Sequence, residues 1–206
     1  MKKSSKIAKS KGSPGRPRAF DTKIALDRAL QVFWRKGYEG ASLSDLTKAM
    51  RINRPSLYAA FGNKEALFYK ALDRYNEGPV AYVRDALAEP TARAAVERIF
   101  QGTVDVMSDK RNPSGCLMVQ GALACGDDAN RIRLELISRR KVGEAALRRR
   151  FERAKEDGDL PADSDPAGLA RYVTTVIHGM AVQATGGATR DDLQGVAGMA
   201  MRAWPQ

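Results

Sequence analysis

Residues 42–67 read SLSDLTKAMRINRPSLYAAFGNKEAL, and the fold turns on how this stretch is parsed. Ser42 and Asp45 stand in the S-x-x-D spacing of a capping box, with the serine placed to satisfy an early helical N–H and the aspartate to favour the positive helix start. A short helix is predicted to begin here. Leu43, Leu46, Ala49 and Met50 recur at helical spacing before Arg51-Ile52-Asn53 interrupts the run, and Leu57 and Phe61 resume it. Two helices therefore share one small core across a three-residue turn. Asn53 is a good N-cap, and Pro55 falls in the first turn, where its missing N–H leaves no intrahelical bond unmade. Gly62 and Asn63 stop the second helix and start a third.

Working outward, Phe33 and Gly37-Tyr38 close a preceding helix, and Phe61-Gly62-Asn63-Lys64-Glu65-Ala66-Leu67 opens the next. With Ser42-Leu43-Ser44-Asp45-Leu46 and Ser56-Leu57-Tyr58 between them, the first third of the chain resembles the DNA-binding domain of the TetR family of transcriptional regulators. The resemblance implies an all-α protein: an N-terminal three-helix helix-turn-helix domain followed by a helical ligand-binding and dimerisation domain. It also implies that the second helix of the motif lies in the major groove, which gives Arg54, Ser56, Tyr58 and Ala59 that placement. The family turn commonly carries Gly where this chain has Arg51. A positive φ there would strain an arginine, although a basic side chain at that point could reach a phosphate.

Charge separates the chain into two parts. Residues 1–64 hold 15 Lys and Arg against 4 Asp and Glu, while residues 65–206 hold 20 of each, so the whole net charge of +11 lies in the first part. A cationic head on a neutral body suits a polyanion partner, because DNA releases condensed counterions to local positive charge. Residues 1–14 offer almost nothing to bury and are predicted to be disordered when free. Gly15-Arg16-Pro17-Arg18 resembles the core of an AT-hook, in which Arg16 and Arg18 would enter a narrow minor groove. The working division is a flexible basic arm (1–18), a helix-turn-helix DNA-binding domain (19–65) and a ligand-binding and dimerisation domain (66–206).

Helical patterns fill the remainder. Asp21 caps a first helix through Lys36 with Ile24, Ala25, Ala29, Val32 and Phe33 on one face, and Gly37 ends it. A helix from Lys64 to about Asn76 breaks at Gly78-Pro79, with further helix to about Ala88. Others are predicted over 91–109, 116–125 and 127–157, then 166–185 and 190–203. The 116–125 segment is apolar nearly all round and is expected to be enclosed. Arg139-Arg140-Lys141 and Arg148-Arg149-Arg150 read as a solvated or interhelical face, since acidic neighbours balance them. The last two helices carry apolar faces wider than one neighbour would cover, a pattern that suits a four-helix homodimer interface.

Few polar groups point into the helical body, which limits the candidate ligand contacts to Cys116, Met118, Gln120, Tyr172 and His178. Cys116 stands at a loop-to-helix junction and could act as a nucleophilic thiol or as a small core hydrophobe. In a helix, Cys116 and Cys125 would lie about 13 Å apart along the axis, too far for an intrahelical disulfide, which leaves an intersubunit bridge open. His178 could bond a ligand or be a satisfied core group. No catalytic constellation, metal cluster or cofactor motif is present, and the charged N-terminus lacks the apolar core of a secretory signal. No apolar run approaches the roughly 18 residues of a membrane span. The expected protein is cytoplasmic and binds no membrane.

The expected function is ligand-responsive transcriptional regulation, most often repression, by a homodimer on double-stranded operator DNA released by a small-molecule effector. Arg54 and Ser56 are the expected base contacts and Tyr58 and Lys64 the phosphate contacts, with Ser42 and Pro55 completing the DNA-facing set. Two alternatives stay open at this point: a constitutive architectural DNA binder using the AT-hook-like arm, and a redox- or electrophile-sensing regulator acting through Cys116.

Overall fold

The computed structural model describes residues 20–123 and 129–205. Ten helices lie among these residues. The arm bearing Arg16 and Arg18 lies outside them, as does Cys125.

Helix α1 (Thr22–Gly40) starts at Asp21, whose carboxylate accepts from the backbone N–H of Lys23 and Ile24 at 2.7 and 3.1 Å. Its buried stripe is Ala25, Ala29, Leu30, Val32, Phe33 and Trp34. Ile24, expected on that stripe, is instead 49% exposed while Ala25 in the same turn is buried, because one residue is a rotation of about 100° that carries Ile24 off the face shared by Ala25, Ala29, Val32 and Phe33. Gly37 does break the helix, with φ of 69°, yet helical structure resumes for three residues to Gly40. That short extension turns Tyr38 back against Phe33 and Phe68.

Helices α2 (Leu43–Met50), α3 (Arg54–Phe61) and α4 (Lys64–Glu77) follow, each begun by a side-chain cap. The Ser42–Asp45 box closes in both directions: Ser42 Oγ accepts from Asp45 N–H at 3.0 Å, and the Asp45 carboxylate accepts from Ser42 N–H at 3.1 Å. Asn53 and Asn63 each accept the N–H three residues on, at 2.8 Å. Arg51 ends α2 in the left-handed region (φ 57°, ψ 43°), and it is the one non-glycine residue with positive φ among the described residues.

The core of this head does not stop at α4. Leu67, Phe68, Ala71, Leu72 and Tyr75 on α4 pack with α1, and the same apolar cluster takes in Leu117 at the start of α7 (Leu117–Leu123) and Ile132 and Leu136 on α8 (Asn130–Glu156). A second cluster joins α6 (Ala92–Ser108), the far half of α8, α9 (Pro166–Thr185) and α10 (Arg190–Arg202). Between them, α5 (Tyr82–Ala86) is a five-residue helix, shorter than the pattern predicts, because residues 78–81 are spent on turns after α4.

The basic triplets on α8 divide between solvent and structure. Arg139 bridges Asp73 and Glu135, each at 2.7 Å. Arg150 is buried and donates to the carbonyls of Glu89 and Pro90 at 3.0 and 3.2 Å, so it fastens the α5–α6 connection onto α8.

Candidate functional site

The geometry of α3 follows from its caps. With Asn53 and Pro55 fixing the first turn, Leu57 and Phe61 face the head core, and Arg54, Pro55, Tyr58 and Ala59 are left on the outer face. Tyr58 is 47% exposed although aromatic. An exposed tyrosine beside an exposed arginine on a short helix offers a charge, a hydroxyl and a flat apolar ring to a partner. Ser56 is half-buried, with its N–H held by Asn53.

Ser42 is exposed at the N-terminus of α2. Its partner Asp45 also takes an ion pair from Lys36 at 2.8 Å, which clamps α2 to α1. The Lys36 ammonium first, and the Ser42 hydroxyl and backbone next, hold the Asp45 carboxyl down at about 2. Lys64, in the first turn of α4, lies with its ammonium 4.4 Å from the centroid of the Tyr38 ring. Partial burial lowers its pKa, against the opposing charge of Glu39. The cation is thus parked on an aromatic face beside α3.

The body holds a cavity of about 360 Å³ between the end of α4, α5, α6, α8 and α9. Three of the five candidate ligand residues line it: Cys116, Met118 and His178. The other two do not. Gln120 points its amide to the carbonyl of Ser114 at 3.0 Å and lies toward the α1 terminus, while Tyr172 stands on the outer face of α9 with its hydroxyl 3.4 Å from the Ala200 carbonyl. Cavity residues that sequence reading missed are Tyr75, Tyr82 and Arg140. The Tyr75 hydroxyl donates to Cys116 Sγ at 3.4 Å, and that of Tyr82 shares a hydrogen bond with Thr103 at 2.9 Å. Burial raises the pKa of both phenols, so both keep their protons. Burial lowers the His178 pKa, and the Arg140 charge lowers it further against the opposing effect of Glu144. A tyrosine at the end of a helical stripe is the one signal that could have pointed to Tyr75.

The cavity floor is tied to the head. Trp34 donates its indole N–H to the carbonyl of Gly115 at 3.1 Å, and its ring meets Tyr75 edge-on at 4.7 Å. Gly115 and Cys116 thus join α1, α4 and the cavity wall. Among the described residues there is no group of side chains able to hold a metal ion, and no helix is long and apolar enough to cross a membrane.

Comparison with known proteins agrees with this layout. A family profile described as "Bacterial regulatory proteins, tetR family" matches residues 25–71, and one described as "Tetracyclin repressor-like, C-terminal domain" matches residues 92–196. The chain is 35% identical to the HTH-type transcriptional repressor ComR of Escherichia coli (strain K12), over 95% of this chain and 94% of that protein. It is 28% identical to the repressor BdcR of the same organism, over 91% and 90% of the two chains. Among solved structures, a cysteine mutant of the TetR family transcriptional regulator CifR complexed with 26-base-pair operator DNA superposes with a TM-score of 0.89 at 45% identity, covering 92% of this chain and all of that one. The relatives are transcriptional regulators, not enzymes. This chain belongs to the TetR family of transcriptional regulators.

Proposed function

We propose that the protein is a homodimeric repressor that inserts α3 of each subunit into successive major grooves of an operator and leaves the DNA when a small molecule fills the cavity. The observation that carries the DNA half is the outer face of α3, where Arg54, Pro55 and Tyr58 stand exposed on a helix whose opposite side is locked into the core. Arg54 and Ser56 are assigned to base edges and Tyr58, Ser42 and Lys64 to phosphates, with Arg16 and Arg18 of the arm assigned to the minor groove. The operator complex of CifR supports this reading by similarity.

Dimerisation is assigned to α9 and α10, which leave Tyr172, Val182, Val196 and Met199 exposed. A two-fold axis through that face would make residues 66–206 the element that sets the spacing of the heads. Cys116, Met118 and His178 are assigned to the effector. To move the population from almost all competent to almost all released, the effector must prefer the released state by about 5.5 kcal/mol. A second reading, an electrophile-responsive regulator, is favoured by the position of Cys116 on the cavity wall. A Cys116→Ser variant that still responds to alkylating compounds would remove it.

The test of the main reading is the operator profile of Arg54→Ala. Loss of about 1–3 kcal/mol in binding, with relaxed preference at one base position, is expected. A uniform loss across sequences would demote Arg54 to a phosphate contact, and no loss would sink the assignment of α3.

A further inference from the structure

We propose that the cavity takes an amphipathic anion, a carboxylate or sulfonate on an apolar body, with Arg140 as the residue that receives its charge. This rests on the reading of the cavity as the effector site. Three arginines and one carboxylate line the cavity. Arg139 is committed to Asp73 and Glu135, and Arg84 lies beside Asp85 at 3.6 Å with most of its side chain in solvent. The carboxylate, Glu144, pairs with Arg171 at 3.6 Å. Arg140 has no carboxylate within ion-pair distance among the described residues, although it is half-buried and its charge reaches His178.

The remaining wall limits the ligand further. Val80, Val83, Val106, Met107, Leu147 and Ile177 give it an apolar body. Tyr75 and Tyr82 keep their protons and already use their hydroxyls on Cys116 and Thr103. A cationic ligand would therefore meet the Arg140 guanidinium, and the one carboxylate of the wall, Glu144, is already shared with Arg171. A neutral apolar ligand would fill the space and leave the guanidinium without a partner. An anion supplies what the site lacks, since a charge-assisted hydrogen bond in a partly dry site is stronger than a neutral one.

The experiment compares two fluorescent probes of nearly one shape, anilinonaphthalene sulfonate and the uncharged phenylnaphthylamine, on the full chain without DNA. The wild type should bind the sulfonate about tenfold or more tightly than the neutral probe. Arg140→Gln should bring the two affinities together by weakening the sulfonate alone, and Arg140→Lys should keep most of the difference. Val83→Trp, which fills the cavity, should lose both probes. An unchanged ratio in Arg140→Gln, a wild-type preference for the neutral probe, or sulfonate binding that survives in Val83→Trp would each overturn the proposal. Operator binding is read separately by anisotropy. A protein that selects the sulfonate through Arg140 yet stays on its DNA would uphold the anion site and defeat the effector reading.

Discussion

Replacing Gly115 with alanine should destabilise the protein by about 2–4 kcal/mol, and the same change at Gly158 by less than about 1 kcal/mol. Both residues have positive φ, 81° and 77°, so both substitutions incur the left-handed strain of an L side chain, partly offset by a stiffer unfolded chain. They differ in what a Cβ would meet. At Gly158 nothing lies within 4 Å, whereas at Gly115 the new carbon would stand 2.6 Å from Thr185 Cγ2 and 3.0 Å from the Ala181 carbonyl oxygen, with the Gln120 amide closer still. The Gln120 side chain can swing away; the backbone of α9 cannot. The excess at Gly115 is therefore an overpacking term of about 1–3 kcal/mol. Guanidinium denaturation at fixed protein concentration measures it, because any dimer ties stability to concentration. Thr185→Ser deletes the crowding methyl and should recover about 1 kcal/mol in the Gly115→Ala background while changing little alone, a coupling that isolates the contact. Equal losses at Gly115 and Gly158, or no rescue by serine, would refute the view that this loop is wedged between α7 and α9.

Further outcomes follow from two residues of the head, Arg51 and Asp45. Arg51→Gly relieves a left-handed arginine at an exposed position, and after the entropic loss of a glycine it should change stability by no more than about 0.5 kcal/mol, in the stabilising direction. If Arg51 also touches a phosphate, the salt dependence of operator binding, read as the slope of log affinity against log salt, will fall by about one unit. Asp45, held near 2 in the folded protein against an ordinary 3.8, stabilises the fold fully above its ordinary value, and that contribution is lost as pH falls through about 2. Ser42→Ala removes one of its partners, so the Asp45 midpoint followed by carboxyl NMR should rise between those two values. A midpoint that stays at 2 would leave Lys36 as the whole cause.

What the sequence disclosed was local. Ser42, Asn53 and Asn63 act within three residues of themselves, so their caps could be read from spacing alone, and α9 occupies Pro166–Thr185, the range its Pro and Gly-Gly bounds mark out. The left-handed turn at Arg51 was legible only through the family resemblance, whose turn commonly carries Gly there. Contacts between distant segments were hidden. Nothing near Trp34 in the chain names the carbonyl of Gly115 as its partner, 81 residues away. Periodicity could not tell that Arg150, in the middle of RRR, folds inward to cap a loop while Arg148 and Arg149 stay exposed. Arg139 and Arg140 both line the cavity, and only the nonlocal pairing of Arg139 with Asp73 of α4 sets the two apart. Three of the five candidate ligand residues border the cavity and two do not, because apolar context alone marks burial, and burial does not say which void a side chain borders.

Helix α4 shows why a boundary drawn at residues 65 and 66 is a convenience of sequence and not a seam in the molecule. Its length from Leu67 to Leu72 packs Leu67, Phe68 and Leu72 into the head, and its far end sets Tyr75 against both Trp34 and the cavity. Fourteen residues make a rod of about 21 Å. Under the proposed mechanism, a ligand that pushes Tyr75 cannot simply bend the helix, because its buried stripe from Leu67 to Tyr75 is fixed by apolar packing in the head core. The rod must tilt and carry α1 to α3 with it. A tilt of about 10° moves the Lys64 end by about 4 Å relative to the cavity. Hydrogen bonds to bases and phosphates are lost over less than that distance. With two heads moving in opposite senses about the dimer axis, the separation of the recognition helices changes by up to twice as much, and a duplex with a repeat of about 34 Å cannot follow without bending or losing one of them. The effector therefore need not unfold or reshape α3; shifting the point from which it is held is sufficient.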